Sequence, residues 1–341
     1  MRIATEEACS FPEIVSEMGL VAARGGTNLD MELITAIYGP NAPEVGRRAV
    51  APLLDVGAGR IAEMDRAGVD MHVLSLTSPG VQMFAPDRAV ALAELANDKL
   101  AAAIRRYPTR FAGLAAVAPQ NPQAAAREME RAINRLRLNG FIINSHTDNR
   151  YLDEEFFWPI LEAAEALDRP IYIHPRNPSD GMAGPFRGVS LPGYAFGMET
   201  SVHALRLLFR GVFDRFPKLK IVLGHMGEGI HFWQARLDRR YLSSSYASGY
   251  VRLSLMPSEY LKRNFAITTS GAESHEALEY SIKTLGADHV MWAIDYPYEP
   301  TQSAVDFLES APITPEQKAM IFEQNAERVF HIERPAPRRR R

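Results

Sequence analysis

Glu6, His174, His225 and Asp295 stand at the ends of four well-separated hydrophobic runs, MRIAT, RPIYI, KIVLG and VMWAI. Two carboxylates and two imidazoles are a donor set that one divalent cation accepts, and runs that end alike could deliver them to a common rim. Asp295 lies in WAIDYPYEP, where Pro297 stops the run and aromatic neighbours exclude water. A carboxyl buried there is costly unless paired, protonated or metal-bound, so Asp295 is a candidate acid as well as a candidate ligand.

Each position also has a plainer reading. A histidine ending an apolar strand is often a hydrogen-bonded core residue, an acidic pair near a terminus is often a cap or surface pair, and Asp295 could cap a short helix beginning near Glu299. Two histidines at corresponding strand ends shift the balance toward metal binding or catalysis. Adjacent strand residues point in opposite directions, so Glu6 is taken as the inward acid, and Glu7 is left to meet the barrel wall or a loop. In LGHMGE, Gly227 permits a close turn and Glu228 could orient an imidazole. Arg236 follows in HMGEGIHFWQARLDRR; on a helix starting near Gly227 it would lie on the third turn, where its guanidinium suits a substrate carboxylate or else a surface contact with Asp238.

These side chains need elements to carry them. Apolar runs predict strands at 2–6, 69–76, 111–118, 141–146, 170–175, 219–226, 265–270 and 289–297. Three- and four-residue apolar spacing predicts helices at 53–68, 86–106, 121–137, 153–168, 200–217, 274–286 and 314–330. The alternation argues for an α/β fold, a (β/α)8 barrel with extended βα loops, forming one catalytic domain over 1–333 with a basic tail at 334–341. Two stretches, 19–50 and 176–199, interrupt the repeat and are expected to fold over the pocket or to make solvent-facing or oligomer contacts.

Composition closes off other classes. Lys+Arg 38 against Asp+Glu 41 gives a net charge of −3, which offers no electrostatic case for nucleic acid or an anionic membrane. No apolar stretch approaches the roughly 18–20 residues of a membrane span. The single cysteine, Cys9, excludes an intrachain disulfide and a cysteine-rich metal site, and suits a reducing, cytoplasmic setting. LLDVGAG lacks the glycine spacing of a dinucleotide fingerprint.

Taken together, RIATEEA, LTSPGVQ, GLAAVAPQ, INSHTDNRYLDEEFFWPI, YIHP, FGMETSVHALRL, LGHMGE, IDYPYE and NAERVF span almost the whole chain. In these motifs the chain resembles the decarboxylase branch of the amidohydrolase superfamily, which removes the carboxylate of ortho-hydroxylated aromatic acids. It is most similar to the 5-carboxyvanillate decarboxylases, with the γ-resorcylate and 2,3-dihydroxybenzoate enzymes as relatives. The resemblance implies Glu6, His174, His225 and Asp295 as ligands of one divalent ion, manganese ahead of zinc. It implies Asp295 as the acid and Thr77, Arg236 and Tyr298 facing substrate; His225 and Glu228 are counted beside Asp295 in the catalytic group, and His174 beside the substrate. An arginine at 47–48 is a further candidate, reaching its own site or a neighbouring subunit's in a homodimer or homotetramer. Several relatives begin EEH where this chain has Glu6, Glu7, Ala8, which points to the carboxyvanillate-like subgroup. An early His-x-His pair and a bridging lysine, marks of dinuclear relatives, are missing at the matching places. The implied reaction is ring protonation followed by loss of carbon dioxide from a chelated substrate. The alternatives are metal-assisted hydrolysis or hydration of a small carboxylate, or a non-enzymatic ligand-binding barrel.

Overall fold

The computed structural model describes residues 1–188, 191–246 and 249–333; the basic tail at 334–341 lies outside them. Eight strands run in chain order around one sheet: β1 (Ile3–Cys9), β2 (Met71–Leu76), β3 (Phe111–Ala116), β4 (Gly140–Asn144), β5 (Ile171–His174), β6 (Ile221–Leu223), β7 (Phe265–Thr268) and β8 (Val290–Met291). Successive strands pair in parallel. The amide of Thr5 donates to Trp292 O at 3.1 Å and that of Ala8 to Tyr296 O at 2.8 Å, which ties the last segment back to β1. This is the (β/α)8 barrel that the alternation predicts.

Both faces of the strands are buried, and each face has its own core. Ile3, Met71, Val73, Leu114, Ile142, Tyr172, Val222 and Met291 fill the barrel, and Val329 and Phe330 of the last helix, Asn325–Phe330, close its N-terminal end. The outward residues of the strands pack against the helices. The helix Pro86–Arg106 shows how these form: Pro86 opens it, Arg105 and Arg106 suit its C-terminal dipole, and Ala89, Leu92, Ala93, Ala96, Leu100 and Ala101 make the buried stripe. Asn121 and Ser274 cap Pro122–Asn134 and His275–Leu285 by accepting backbone N–H bonds.

Several boundaries move. The expected helix at 53–68 begins only at Ala58, because Leu53 belongs to a preceding helix, Glu44–Leu54. The run 200–217 is Phe196–Phe209 and Val212–Arg215, separated by Gly211 at φ 74°. The stretch 19–50 is helical: Pro12–Arg24, Leu29–Tyr38 and Glu44–Leu54. Several of the Gly and Asn residues that made it look irregular lie at the helix ends, with Gly25 and Gly39 ending helices and Asn28 capping the next by accepting from the Met31 amide.

This insertion docks on the segment after β5. Asp30 and Arg176 form a buried ion pair, with Arg176 Nε 3.1 Å from Asp30 Oδ2. Asn177 Nδ2 donates to Leu29 O at 3.1 Å and Asp30 Oδ1 at 3.2 Å, and Arg187 reaches Glu32 Oε1 at 2.6 Å. The two interruptions therefore dock on one another. Among the described residues, no helix is long and apolar enough to cross a membrane.

Candidate metal centre

Glu6 lies on the inner face of β1 and is 3% exposed. Its Oε2 accepts from three hydroxyls, those of Tyr172, Ser270 and, at 2.9 Å, Thr268. Its Oε1 is buried without a hydrogen-bond partner. An orphaned carboxylate oxygen is expensive to bury unless a charge faces it. His174 Nε2 is 3.5 Å from that oxygen and His225 Nε2 is 3.9 Å from it. Gly224 makes room, since a Cβ there would come within 2.8 Å of both Glu6 oxygens.

His174 ends β5 with its Nδ1 2.7 Å from Pro175 O, an arrangement that places the proton on Nδ1 and leaves Nε2 free as a donor atom. His225 reaches the same space by a different route. The strand expected to run to 226 stops at Leu223, and His225, Met226, Gly227, Glu228 and Gly229 all have positive φ, between 48° and 70°. Each non-glycine residue in this left-handed turn costs about 1–2 kcal/mol, a strain that persists only where the surroundings hold it. The turn brings Glu228 Oε1 to 2.9 Å from His225 Nδ1, so Nε2 points inward, 3.7 Å from Asp295 Oδ2. Glu228 thus meets the imidazole on the side away from the centre.

Asp295 follows β8 at φ 75° and does not cap a helix, since the next one, Thr301–Ser310, is preceded by Pro300. Ligand atoms of Glu6, His174 and Asp295 lie within 4.8 Å of one another. Burial raises the Asp295 carboxyl, opposed by its contact with His225 and reinforced by Glu6. Burial also works against the Glu6 carboxylate, but His225, His174 and the surrounding hydroxyls outweigh it and hold the group below its usual range. For His225 the acids outweigh desolvation in turn and favour the imidazolium strongly. The cluster therefore calls for positive charge at its centre.

Glu7 points away from this centre, fully buried, and its carboxylate accepts the amides of Ile294 at 3.0 Å and Tyr296 at 3.1 Å. Burial pushes its carboxyl up to about 8, against the pull of those amides and of Arg60. Thr77 Oγ1 and Tyr298 Oη are 2.6 Å apart. Tyr298 is 44% exposed as a residue, yet desolvation of its hydroxyl end suppresses its ionisation.

Two expectations meet a different geometry. Arg236 is exposed in the first turn of the helix Gln234–Leu242, which starts later than Gly227, and it has no hydrogen bond or ion pair with the four central groups. Arg47 and Arg48 are exposed on Glu44–Leu54, with Arg48 paired to Glu44. Sequence reasoning missed the hydroxyl cradle of Glu6. Its signal was the two-residue spacing of Tyr172 and His174 and of Thr268 and Ser270, which sets each pair on one strand face.

The barrel and its rim of inward acids and imidazoles define an α/β metal-site protein, and the family profile agrees. The chain belongs to the amidohydrolase family, whose profile matches residues 50–332. The γ-resorcylate decarboxylase of Polaromonas sp. JS666 is 39% identical over 292 residues, 83% of this chain and 89% of that one. The crystal structure of 5-carboxyvanillate decarboxylase from Sphingomonas paucimobilis superimposes with a TM-score of 0.95 at 50% identity, covering 97% of this chain and 99% of that one. The Novosphingobium aromaticivorans 5-carboxyvanillate decarboxylase, complexed with manganese and 4-hydroxy-3-methoxy-5-nitrobenzoic acid, gives 0.93 at 39% identity over 97% and 96%.

Proposed function

We propose that this chain is a non-oxidative decarboxylase of an ortho-hydroxylated aromatic acid, 5-carboxyvanillate-like, that works with one divalent cation, manganese ahead of zinc. The single observation that carries the reading is Glu6 Oε1, buried and unpartnered and faced by His174 and His225. Oxygen and nitrogen donors suit either metal, and the manganese-bound relative favours the first. Glu6, His174, His225 and Asp295 would hold the ion, which when bound supplies Lewis-acid stabilisation of anionic charge on the substrate.

The chain's own groups supply positioning and a proton. The hydroxyls of Tyr172, Thr268 and Ser270 fix one oxygen of Glu6 and so aim the other. Thr77 and Tyr298 form a hydroxyl pair that orients the ring. Arg236, exposed in the first turn of its helix, is assigned to the substrate carboxylate, which a guanidinium binds in bidentate fashion.

Asp295, whose carboxyl is raised above its ordinary value by burial, gives a proton to the ring carbon that bears the carboxylate. The bond to the carboxylate carbon then breaks, its electrons restore the aromatic ring, and carbon dioxide leaves. Protonation first avoids an aryl carbanion perpendicular to the π system. Asp295 ends the cycle ionised and recovers a proton from solvent, so one proton is consumed per turnover.

A homodimer or homotetramer fits the exposed Phe232, Trp233 and Leu242, apolar side chains that a second copy would cover. The activity is tested by offering 5-carboxyvanillate, γ-resorcylate and 2,3-dihydroxybenzoate to the manganese- or zinc-loaded protein. Stoichiometric carbon dioxide and the matching phenol are expected. Ring opening or water incorporation would replace this reading by hydrolysis or hydration, and silence of the loaded protein toward all three would overturn it.

A further inference from the structure

We propose that Glu7 is a positioning residue for Asp295, a brace on the outer face of β1 for the acid whose companion ligand, Glu6, sits on the inner face. One carboxyl group takes both amides that flank Asp295, Ile294 N on Oε1 and Tyr296 N on Oε2. On the carbonyl side, Asp295 O accepts from Tyr298 N at 2.8 Å and Glu299 N at 3.1 Å, while Ala8 N donates to Tyr296 O at 2.8 Å. Asp295 is thus held from both directions at φ 75°, a backbone conformation that a non-glycine residue keeps only when its neighbours impose it. With that backbone pinned, the direction in which the Asp295 side chain leaves the chain is set.

The brace is itself anchored. Arg60, fully buried, donates from Nε to Asp55 O at 2.7 Å and from Nη2 to Ala8 O at 2.8 Å and Pro52 O at 3.0 Å. Its guanidinium carbon lies 4.6 Å from the centre of the Tyr296 ring. The end of the helical insertion, through Pro52 and Asp55, is therefore joined to the residue beside Asp295 through one side chain. A movement of the insertion would be felt at the acid by this route.

The kinetic side of this inference rests on the decarboxylase reading, but its test does not. Free manganese is measured by electron paramagnetic resonance during titration of wild type, Glu7→Ala, Asp295→Ala and the double variant. If Glu7 acts through Asp295, Glu7→Ala weakens manganese binding by about tenfold or more. The double variant then matches Asp295→Ala within about twofold, because the two losses share one cause. Additive losses, or a Glu7→Ala protein that binds manganese as wild type does, overturn the proposal. Should Glu7→Ala fail to fold, Glu7→Gln is read by the same cycle; its remaining acceptor oxygen should restore part of the affinity when both variants fold. A wild type that takes up no manganese sinks both this inference and the function above, whereas one that binds manganese without releasing carbon dioxide sinks the function alone. In the active protein, Glu7→Ala lowers kcat more than it raises KM.

Discussion

At the scale of single residues, the division of labour around the centre makes separable predictions. Asp295→Asn removes the transferable proton while keeping shape, so kcat should fall by at least about 10²-fold with binding of a nitro-substituted substrate analogue largely retained. Comparable turnover of wild type and variant would remove Asp295 from the proton-donor role. Glu228→Gln should act differently, because Glu228 faces His225 Nδ1 and orients the ring from behind. Its expected effect is a manganese affinity weakened by about 10–100-fold, measured by titration, and an unchanged affinity would deny it that role. Residue type and strand position made the four central groups legible from sequence, and the opposite facing of neighbours separated Glu6 from Glu7. What Glu7 does was not legible, because its partners are backbone amides almost a whole chain length away.

Elements explain where sequence patterns stop being informative. The eight strands were readable because parallel strands covered on both faces are continuous apolar runs. Their ends were not, as at β6, where LGHMGE leaves the strand for a left-handed turn that periodicity does not describe. The helices of the insertion were hidden behind their own caps, Gly25, Asn28 and Gly39. The Asp30–Arg176 pair that docks this insertion is 8% and 4% exposed at its side chains, so losing one partner strands a buried charge. Asp30→Ala should cost about 3 kcal/mol, the low end for such a pair, since a neighbouring cavity of about 120 Å3 lets water approach the guanidinium. The double variant with Arg176→Met should lose less than the sum of the single losses in urea unfolding. Strict additivity would show that the pair does not act as a unit.

Across the whole molecule, buried groups remote from the centre set the response to acid. His203 is fully buried, its Nε2 accepting the Leu152 amide at 3.1 Å and its Nδ1 3.2 Å from Ser145 Oγ, which lies 3.1 Å from Glu199. Desolvation, with His146 and Arg206 adding to it, lowers this imidazole to about 3. Below its ordinary value of 6.5 the unfolded chain takes up a proton that the folded chain refuses, so the stabilisation present above 6.5 is lost as pH falls toward 3. That amounts to about 2–3 kcal/mol by pH ~4.5. Urea unfolding at pH ~7 and ~4.5 should show a smaller acid loss in His203→Gln than in wild type, and equal losses would exclude this contribution.

Whether one cation gathers the four groups that the barrel brings to its rim is asked most directly by anomalous diffraction at the manganese edge, on crystals of the manganese-loaded protein. A single peak enclosed by Glu6 Oε1, His174 Nε2, His225 Nε2 and the Asp295 carboxylate is the expected result. Manganese bound elsewhere, with no peak between those side chains, would contradict it.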